Sequence, residues 1–284
     1  MIDLPVCTTL TLQRQGLALL VTLNRPRQRN AMTLAMVQEL EAVFTAVDAE
    51  PAIRAVVLRG GGGHFCAGAD IGDLAAARGQ ASFAATLAAS SAASQPVEDD
   101  PFYQLNRAFG RLLTRVDRAP AVVIAVLEGA VLGGGLGLAC VSDLALCVPE
   151  ARLGLPETGL GIPPAQIAPF VVKRIGLTAA RRLALLALRF DGAEAVRLGI
   201  AHELVEPDQI DARLEAMLAQ IRGRAPQANR VTKALLHQVS ERPLEPLLDH
   251  AAAEFVRAVR GVEGQEGSLA FIQKRQPGWA EDQS

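Results

Sequence analysis

The chain has 284 residues, half of them hydrophobic, with 28 Lys and Arg against 30 Asp and Glu and a formal charge of −2. That length suits one large domain, or a domain with an appendage, and is ample for a buried core. The near-neutral balance, with arginines interleaved among acids, excludes a nucleic-acid binder that depends on a concentrated basic surface.

The N-terminal run MIDLPVCTTLTLQRQG has no basic segment followed by an apolar one, so it does not read as a signal peptide. The apolar stretches are broken by Gly, Pro or charge before they reach the length of a bilayer span. A cytoplasmic protein without a membrane partner is the expectation. Cys7, Cys66, Cys140 and Cys147 form no CxxC pair, and Cys140 and Cys147 sit in apolar runs as small buried hydrophobes. Cys66 lies beside a glycine loop, where packing is the favoured role over reactivity. His64, His202, His237 and His250 lack metal-ligand spacing, so no metal site is expected.

Along the chain, Val21–Leu23 reads as the end of a strand that stops at Asn24-Arg25-Pro26. Thr33 is placed as a helix N-cap, because Met36, Val37, Leu40, Val43, Phe44 and Val47 follow at helical spacing. Ile53–Leu58 is a buried strand opening into Gly60–Gly63. The strand, helix, strand order predicts a right-handed crossover and parallel pairing. Residues 75–100, rich in Ala, Ser and Gln, read as a mobile helix and loop. A helix over Phe102–Arg118, a strand over Ala121–Leu127, a helix from Gly133-Gly134-Gly135 to Val141 and a strand over Asp143–Val148 complete an alternating α/β pattern. Beyond Pro169 the chain turns mostly helical, over Lys173–Phe190, Ala193–Leu198, Pro207–Arg222, Pro226–Val239, Leu244–Arg260 and Glu266–Lys274. This divides the chain into an α/β core over 1–200, carrying the site, and a helical region over 201–284.

Two glycine-rich loops follow apolar strands, one over Gly60–Asp70 and one over Gly129–Gly137. Glycines clustered at strand ends suggest close backbone approach. A helix starting in each loop leaves N–H groups unpaired and aligned with its dipole, a setting for an anion or a developing carbonyl oxyanion. Neither loop continues into Gly-Lys-Ser/Thr, which excludes a phosphate-binding P-loop. Gly135-x-Gly137 followed by Glu157 imitates a dinucleotide fingerprint, but Cys140 occupies the third glycine position. No GxSxG occurs, so a serine-hydrolase elbow is excluded.

Leu23-Asn24-Arg25-Pro26 with Asn30-Ala31-Met32, Phe65-Cys66-Ala67-Gly68-Ala69-Asp70-Ile71, Leu132-Gly133-Gly134-Gly135, Gly154-Leu155-Pro156-Glu157 with Gly161-Ile162-Pro163, Phe190-Asp191-Gly192 and Phe271-Ile272-Gln273-Lys274-Arg275 resemble, in order, the motifs of the enoyl-CoA hydratase/isomerase (crotonase) superfamily. The resemblance covers nearly the whole chain. It implies a spiral of ββα units with a helical C-terminal region that mediates trimer or hexamer (dimer of trimers) assembly. It implies a coenzyme A thioester substrate, with no separate cofactor, whose carbonyl oxygen meets the backbone N–H groups of Ala69 and Gly134. Glu157 matches a catalytic glutamate and is expected to be the principal acid/base. For the CoA moiety the resemblance points to Arg25 and Arg27, to Ala67, Asp70 and Ile71 around the first loop, with Asp70 also capping a helix, and to Phe271 and Lys274 near the C-terminus.

One departure matters. Where two-glutamate hydratases carry a second Glu, this chain has Gly137. Together with Gly161–Pro169 and the stretch from Asp100 to Gly110, this resembles the bacterial methylglutaconyl-CoA and isohexenylglutaconyl-CoA hydratases. A glycine at 137 is expected to leave room for a substituent at C3 of the substrate, and residues near Phe83–Leu87 to line the acyl tunnel. An isomerase using Glu157 as single base is the alternative within the family. A non-catalytic acyl-CoA or RNA-binding relative is the alternative outside it.

Overall fold

The computed structural model describes residues 3–70, 72 and 97–280. The sequence reading of residues 75–100 therefore falls largely outside the described residues, as do Ile71 and Phe83–Leu87.

Two sheets are wound by one repeated unit. The larger has the order β1 (Leu10–Gln15), β2 (Ala18–Leu23), β3 (Ala55–Gly60), β4 (Val122–Leu127), β6 (Leu144–Cys147) and β9 (Glu203–Leu204). Only β1–β2 is antiparallel; the rest of its pairings are parallel. The smaller sheet joins β5 (Ala130–Leu132), β7 (Arg152–Gly154) and β8 (Arg189–Phe190). After the β1–β2 hairpin, which lies wholly in the large sheet, two units send their first strand to the large sheet and their second to the small one, then close with a helix. Thus β4–β5 precede α3 (Gly134–Val141), and β6–β7 precede α4 (Ala168–Leu185). This is the ββα spiral that the family resemblance implies. Isolated bridges, Met32 to Ala69 and Cys66 to Val131, extend the small sheet through the first glycine loop.

Local chemistry explains the elements. α1 (Leu34–Ala49) begins where the Thr33 side chain accepts a hydrogen bond from the Met36 N–H at 3.2 Å, and buries Met36, Val37, Leu40, Val43, Phe44 and Val47. α2 (Pro101–Asp117) begins at Asp100, which accepts from the Phe102 N–H at 2.7 Å, with Pro101 in the first turn. α3 is apolar all round and is enclosed from Gly135 to Val141, so it runs through the middle of the molecule. Helix α4 ends at Leu185, earlier than the sequence pattern suggests. Ala187 adopts φ +47°, and the Leu188 N–H donates back to the Leu183 carbonyl at 3.1 Å. That is a left-handed C-terminal stop formed without the glycine that would announce it, and it frees Arg189–Phe190 to form β8.

The remaining helices are α5 (Gly192–Arg197), α6 (Ile210–Arg222), α7 (Pro226–Gln238), α8 (Leu244–Arg260) and α9 (Val262–Gln273). α6 adds Ile210, Leu214, Met217, Leu218 and Ile221 to the same apolar cluster that starts at Leu10. Arg54 ties this region to the sheet: its guanidinium donates to the carbonyls of Ile221 (2.6 Å), Arg222 (3.1 Å), Arg224 and Trp279 (3.3 Å). By contrast α8 buries only Leu247 and α9 only Ala270. Among the described residues, no helix is long and apolar enough to cross a membrane.

Candidate active site

The first glycine loop is fixed from below by Asn30, which is fully buried. Its amide donates to the carbonyls of Gly61 (2.9 Å) and His64 (2.6 Å), and its oxygen accepts from the Arg25 N–H at 2.8 Å. Past Cys66 the chain is held extended between two neighbours. The Met32 N–H donates to Gly68 O (2.8 Å) and the Asp70 N–H to Met32 O (3.0 Å); on the other side the Leu132 N–H donates to Cys66 O at 2.9 Å. This pairing turns the Ala69 N–H away from Met32. On the second loop, Gly134 opens α3, where the first-turn N–H groups have no partner within the helix. Among the described residues, neither the Ala69 nor the Gly134 N–H has a backbone acceptor. The loops lie side by side, since a Cβ on Gly68 would sit 3.4 Å from Leu132 O.

Glu157 reaches this place from the small sheet. The Gly133 N–H donates to Gly154 O at 3.0 Å, joining the second loop to the end of β7. The chain then turns through Pro156 into a short 3-10 turn, Glu157–Leu160. A Cβ on Gly133 would lie 2.7 Å from Glu157 Oε1 and 3.7 Å from Gly68 Cα, so the carboxylate rests on bare backbone between the two loops. Gly133 has φ +51°, a conformation that glycine adopts without strain. Glu157 Oε2 is buried without a hydrogen-bond partner among the described residues. Burial pushes the Glu157 carboxyl above the usual carboxylate range, opposed in part by its own backbone N–H. An unpartnered carboxyl of raised affinity for protons, set beside two unspent amide donors, can move a proton at a carbon whose neighbouring carbonyl is becoming an oxyanion.

The space at Gly137 differs from the expectation. A Cβ there would meet Ile167 Cγ1 at 3.3 Å, Ile167 Cγ2 at 3.4 Å and Leu113 Cδ1 at 3.5 Å. The position of the second glutamate is therefore bordered by apolar side chains, and Ile167 would have to give by a few tenths of an ångström to admit a Cβ. Beside it, Phe109 of α2 stacks over Gly134, its Cζ 3.2 Å from where a Cβ would be. Phe109, Leu113 and Ile167 make an apolar wall along the first turn of α3.

Of the residues expected at CoA, Arg25, Ala67 and Asp70 meet around the first loop. Arg25 is turned inward: its guanidinium donates to Ala31 O and pairs with Asp70 Oδ2 at 2.8 Å. Asp70 also accepts from the Gly72 N–H at 2.8 Å, so this pair braces the first loop. Arg27 is exposed and Ala67 half-buried, with the Ala67 N–H given to Arg29 O at 3.0 Å. Phe271 is 86% exposed, so it is not a core aromatic, and Lys274 ends α9 in a left-handed turn. Cys66 is buried, its thiol pushed up to about 11 by desolvation, and its sulfur accepts from the Gly68 N–H at 3.4 Å; it packs between the loops and is no nucleophile. Sequence reasoning named Gly133 and Ile167 only within motifs, without these roles, and missed Leu113. Cavities of about 380 and 350 Å³ flank α6, but neither is lined by Glu157, Ala69 or Gly134.

The enoyl-CoA hydratase/isomerase family model matches residues 13–283. The chain belongs to that family, which acts on acyl-CoA substrates, and is an enzyme of the hydratase or isomerase kind. It is similar to the crystal structure of an enoyl-CoA hydratase/isomerase from Marinobacter aquaeolei, at 54% identity, TM-score 0.90, over 97% of this chain and 100% of that one. Pseudomonas aeruginosa AtuE is as similar, with 54% identity and TM-score 0.89 over 96% and 100% of the two chains. Among curated relatives, the mevalonyl-coenzyme A hydratase sidH of Aspergillus fumigatus is 31% identical over 92% of this chain and 90% of its own. A peroxisomal Delta(3,5)-Delta(2,4)-dienoyl-CoA isomerase of Arabidopsis thaliana is 29% identical over 91% of each.

Proposed function

We propose that this protein adds water across the double bond of a branched or carboxylated 2-enoyl-CoA, of the 3-methylglutaconyl or isohexenylglutaconyl type, with Glu157 as both base and acid. The observation that carries the reading is the Glu157 carboxyl lodged between the two donor loops, with one oxygen buried and unpartnered. Ionised Glu157 removes a proton from water as its oxygen bonds to C3, and electrons move through C2 to the thioester oxygen. The N–H groups of Ala69 and Gly134 hold that oxyanion, each contributing about 3 kcal/mol. The protonated Glu157 then returns its proton to C2, which restores the carboxylate and the thioester. One carboxyl thus serves both half-steps, and no added cofactor is required.

The glycine at 137, bordered by Ile167 and Leu113, supports a second reading. With a single carboxyl at the site, Glu157 would take a proton from C2 of a 3-enoyl-CoA and return it at C4, as an isomerase. Loss of enoyl-thioester absorbance with crotonyl-CoA, 3-methylglutaconyl-CoA and isohexenylglutaconyl-CoA separates the two. Fastest hydration of a glutaconyl thioester supports the first reading. Conversion of a 3-enoyl-CoA to its 2-isomer without water gain supports the second. Binding without turnover of any thioester would leave a non-catalytic acyl-CoA binder.

For the nucleotide end, we assign Arg27 and the exposed pair Phe271 and Lys274 as CoA contacts. The apolar surface on α8 and α9 is assigned to a trimer, or a dimer of trimers.

A further inference from the structure

We infer that Arg107, with the Gln166 side-chain amide, binds a carboxylate at the far end of the acyl group and sets the preference for acidic over neutral enoyl thioesters. The inference rests on the proposed acyl-CoA site, because the wall it uses starts at the oxyanion donor Gly134.

α2 carries four arginines within the described residues from its start to its C-cap. Three have acid partners: Arg111 approaches Glu41 at 4.0 Å, Arg115 pairs with Asp48 at 3.0 Å, and Arg118 pairs with Glu241. Arg107 has none among the described residues; its Nη1 only donates weakly to Gln166 Oε1 at 3.4 Å. An arginine offers five N–H donors, so most of these are unspent. No described hydrogen bond uses the Gln166 Nε2 donor either, so the amide at this guanidinium has a donor left for a ligand.

Both side chains come to Gly110 of α2. A Cβ there would fall 1.9 Å from Gln166 Oε1 and 2.8 Å from Arg107 Nη1. In this arrangement the Gln166 amide and the guanidinium lie against bare backbone of α2, and a glycine in mid-helix costs about 1 kcal/mol of helix stability. The link to the apolar wall runs through Gly110 and Gln166: Gly110 follows Phe109, which covers Gly134, and Gln166 precedes Ile167, which packs at Gly137. An acyl chain whose carbonyl sits at Gly134 therefore runs along Phe109 and Ile167 towards a cation and an amide. A planar guanidinium beside an amide donor matches a carboxylate, which accepts two parallel hydrogen bonds. A five-carbon diacid monothioester has that carboxylate at the end of its chain; the matching 3-methylcrotonyl thioester lacks it.

The test compares kcat/KM for 3-methylglutaconyl-CoA and 3-methylcrotonyl-CoA in the wild type, Arg107→Met and Arg107→Lys. Calorimetry adds the Kd of glutaryl-CoA and butyryl-CoA, which report carboxylate recognition without turnover. The expected result is a drop of about tenfold or more in the acid-to-neutral ratio for Arg107→Met, mainly through KM, with partial recovery in Arg107→Lys and a parallel loss of glutaryl-CoA affinity. Unchanged ratios in both measurements, or equal losses on acid and neutral thioesters, would overturn the inference. If neither thioester is hydrated but glutaryl-CoA binding still depends on Arg107, the carboxylate site stands and the hydratase reading falls.

Discussion

At the scale of single residues, the site depends on what surrounds one carboxyl group. Glu157 needs to be ionised to remove a proton from water, and its burial makes ionisation harder. The acid limb of kcat/KM is therefore expected to lie above the ordinary glutamate range, with activity falling as pH drops through it. Folding stability carries the same sign. A carboxyl whose pKa is raised by folding favours the folded state below its unfolded pKa, and that gain is lost as pH rises through the folded pKa. Glu157→Gln, which cannot ionise, should thus raise Tm relative to the wild type near neutral pH, and the difference should vanish in acid. An acid limb in the usual carboxylate range, with no pH-dependent Tm difference, would mean that solvent reaches Glu157 freely.

At the scale of elements, the first turn of α3 and the residues packed on it decide which chemistry is open. Gly137→Glu, which restores a two-glutamate pattern on paper, would press its Cβ against Ile167 and Leu113 and bury a charge among them. Overpacking alone costs about 1–3 kcal/mol, and the buried carboxylate adds to that. The substitution should lower the unfolding free energy by about 2 kcal/mol or more without raising the hydration rate; paired with Ile167→Ala it should regain part of the stability. Denaturant titration reads both. Stability equal to wild type would show that the slot is open.

The same scale shows what the sequence exposed. The six buried positions of α1 and the Thr33 cap follow from helical spacing and one hydroxyl, so both were legible. The glycine loops were legible because glycine marks close backbone approach, and Glu157 because its neighbours match a family motif. The strands β5, β7 and β8 were not, since two or three residues show no alternation. Nor was the apolar filling of the Gly137 slot, because Leu113 and Ile167 are ordinary core residues on distant elements. Arg25 and Asp70 were placed near the nucleotide, and their mutual pairing is a contact across 45 positions that no local pattern reveals.

At the scale of the whole molecule, two unequal parts appear. One apolar cluster runs from Leu10 through α6 to Ile221, while α8 and α9 leave Phe255, Val259, Val262, Phe271 and Ile272 exposed. These side chains lie on two helices that pack against each other, and exposed apolar surface of this kind marks association. Sedimentation equilibrium should return a mass of three or six chains, and charged substitutions at Val259 and Ile272 together should lower it. A monomer at micromolar concentration would contradict the assigned assembly.

Glu157→Gln tests the central claim most directly, because it keeps the shape of the side chain and removes its base. Steady-state kinetics of the wild type and the variant would be measured on the best thioester substrate, with the thioester Kd determined beside them. The account predicts a fall in kcat of about 10²–10⁴-fold, with Kd close to that of the wild type. A variant that keeps kcat within a few-fold would contradict the account, since the proton would then be moved by another group.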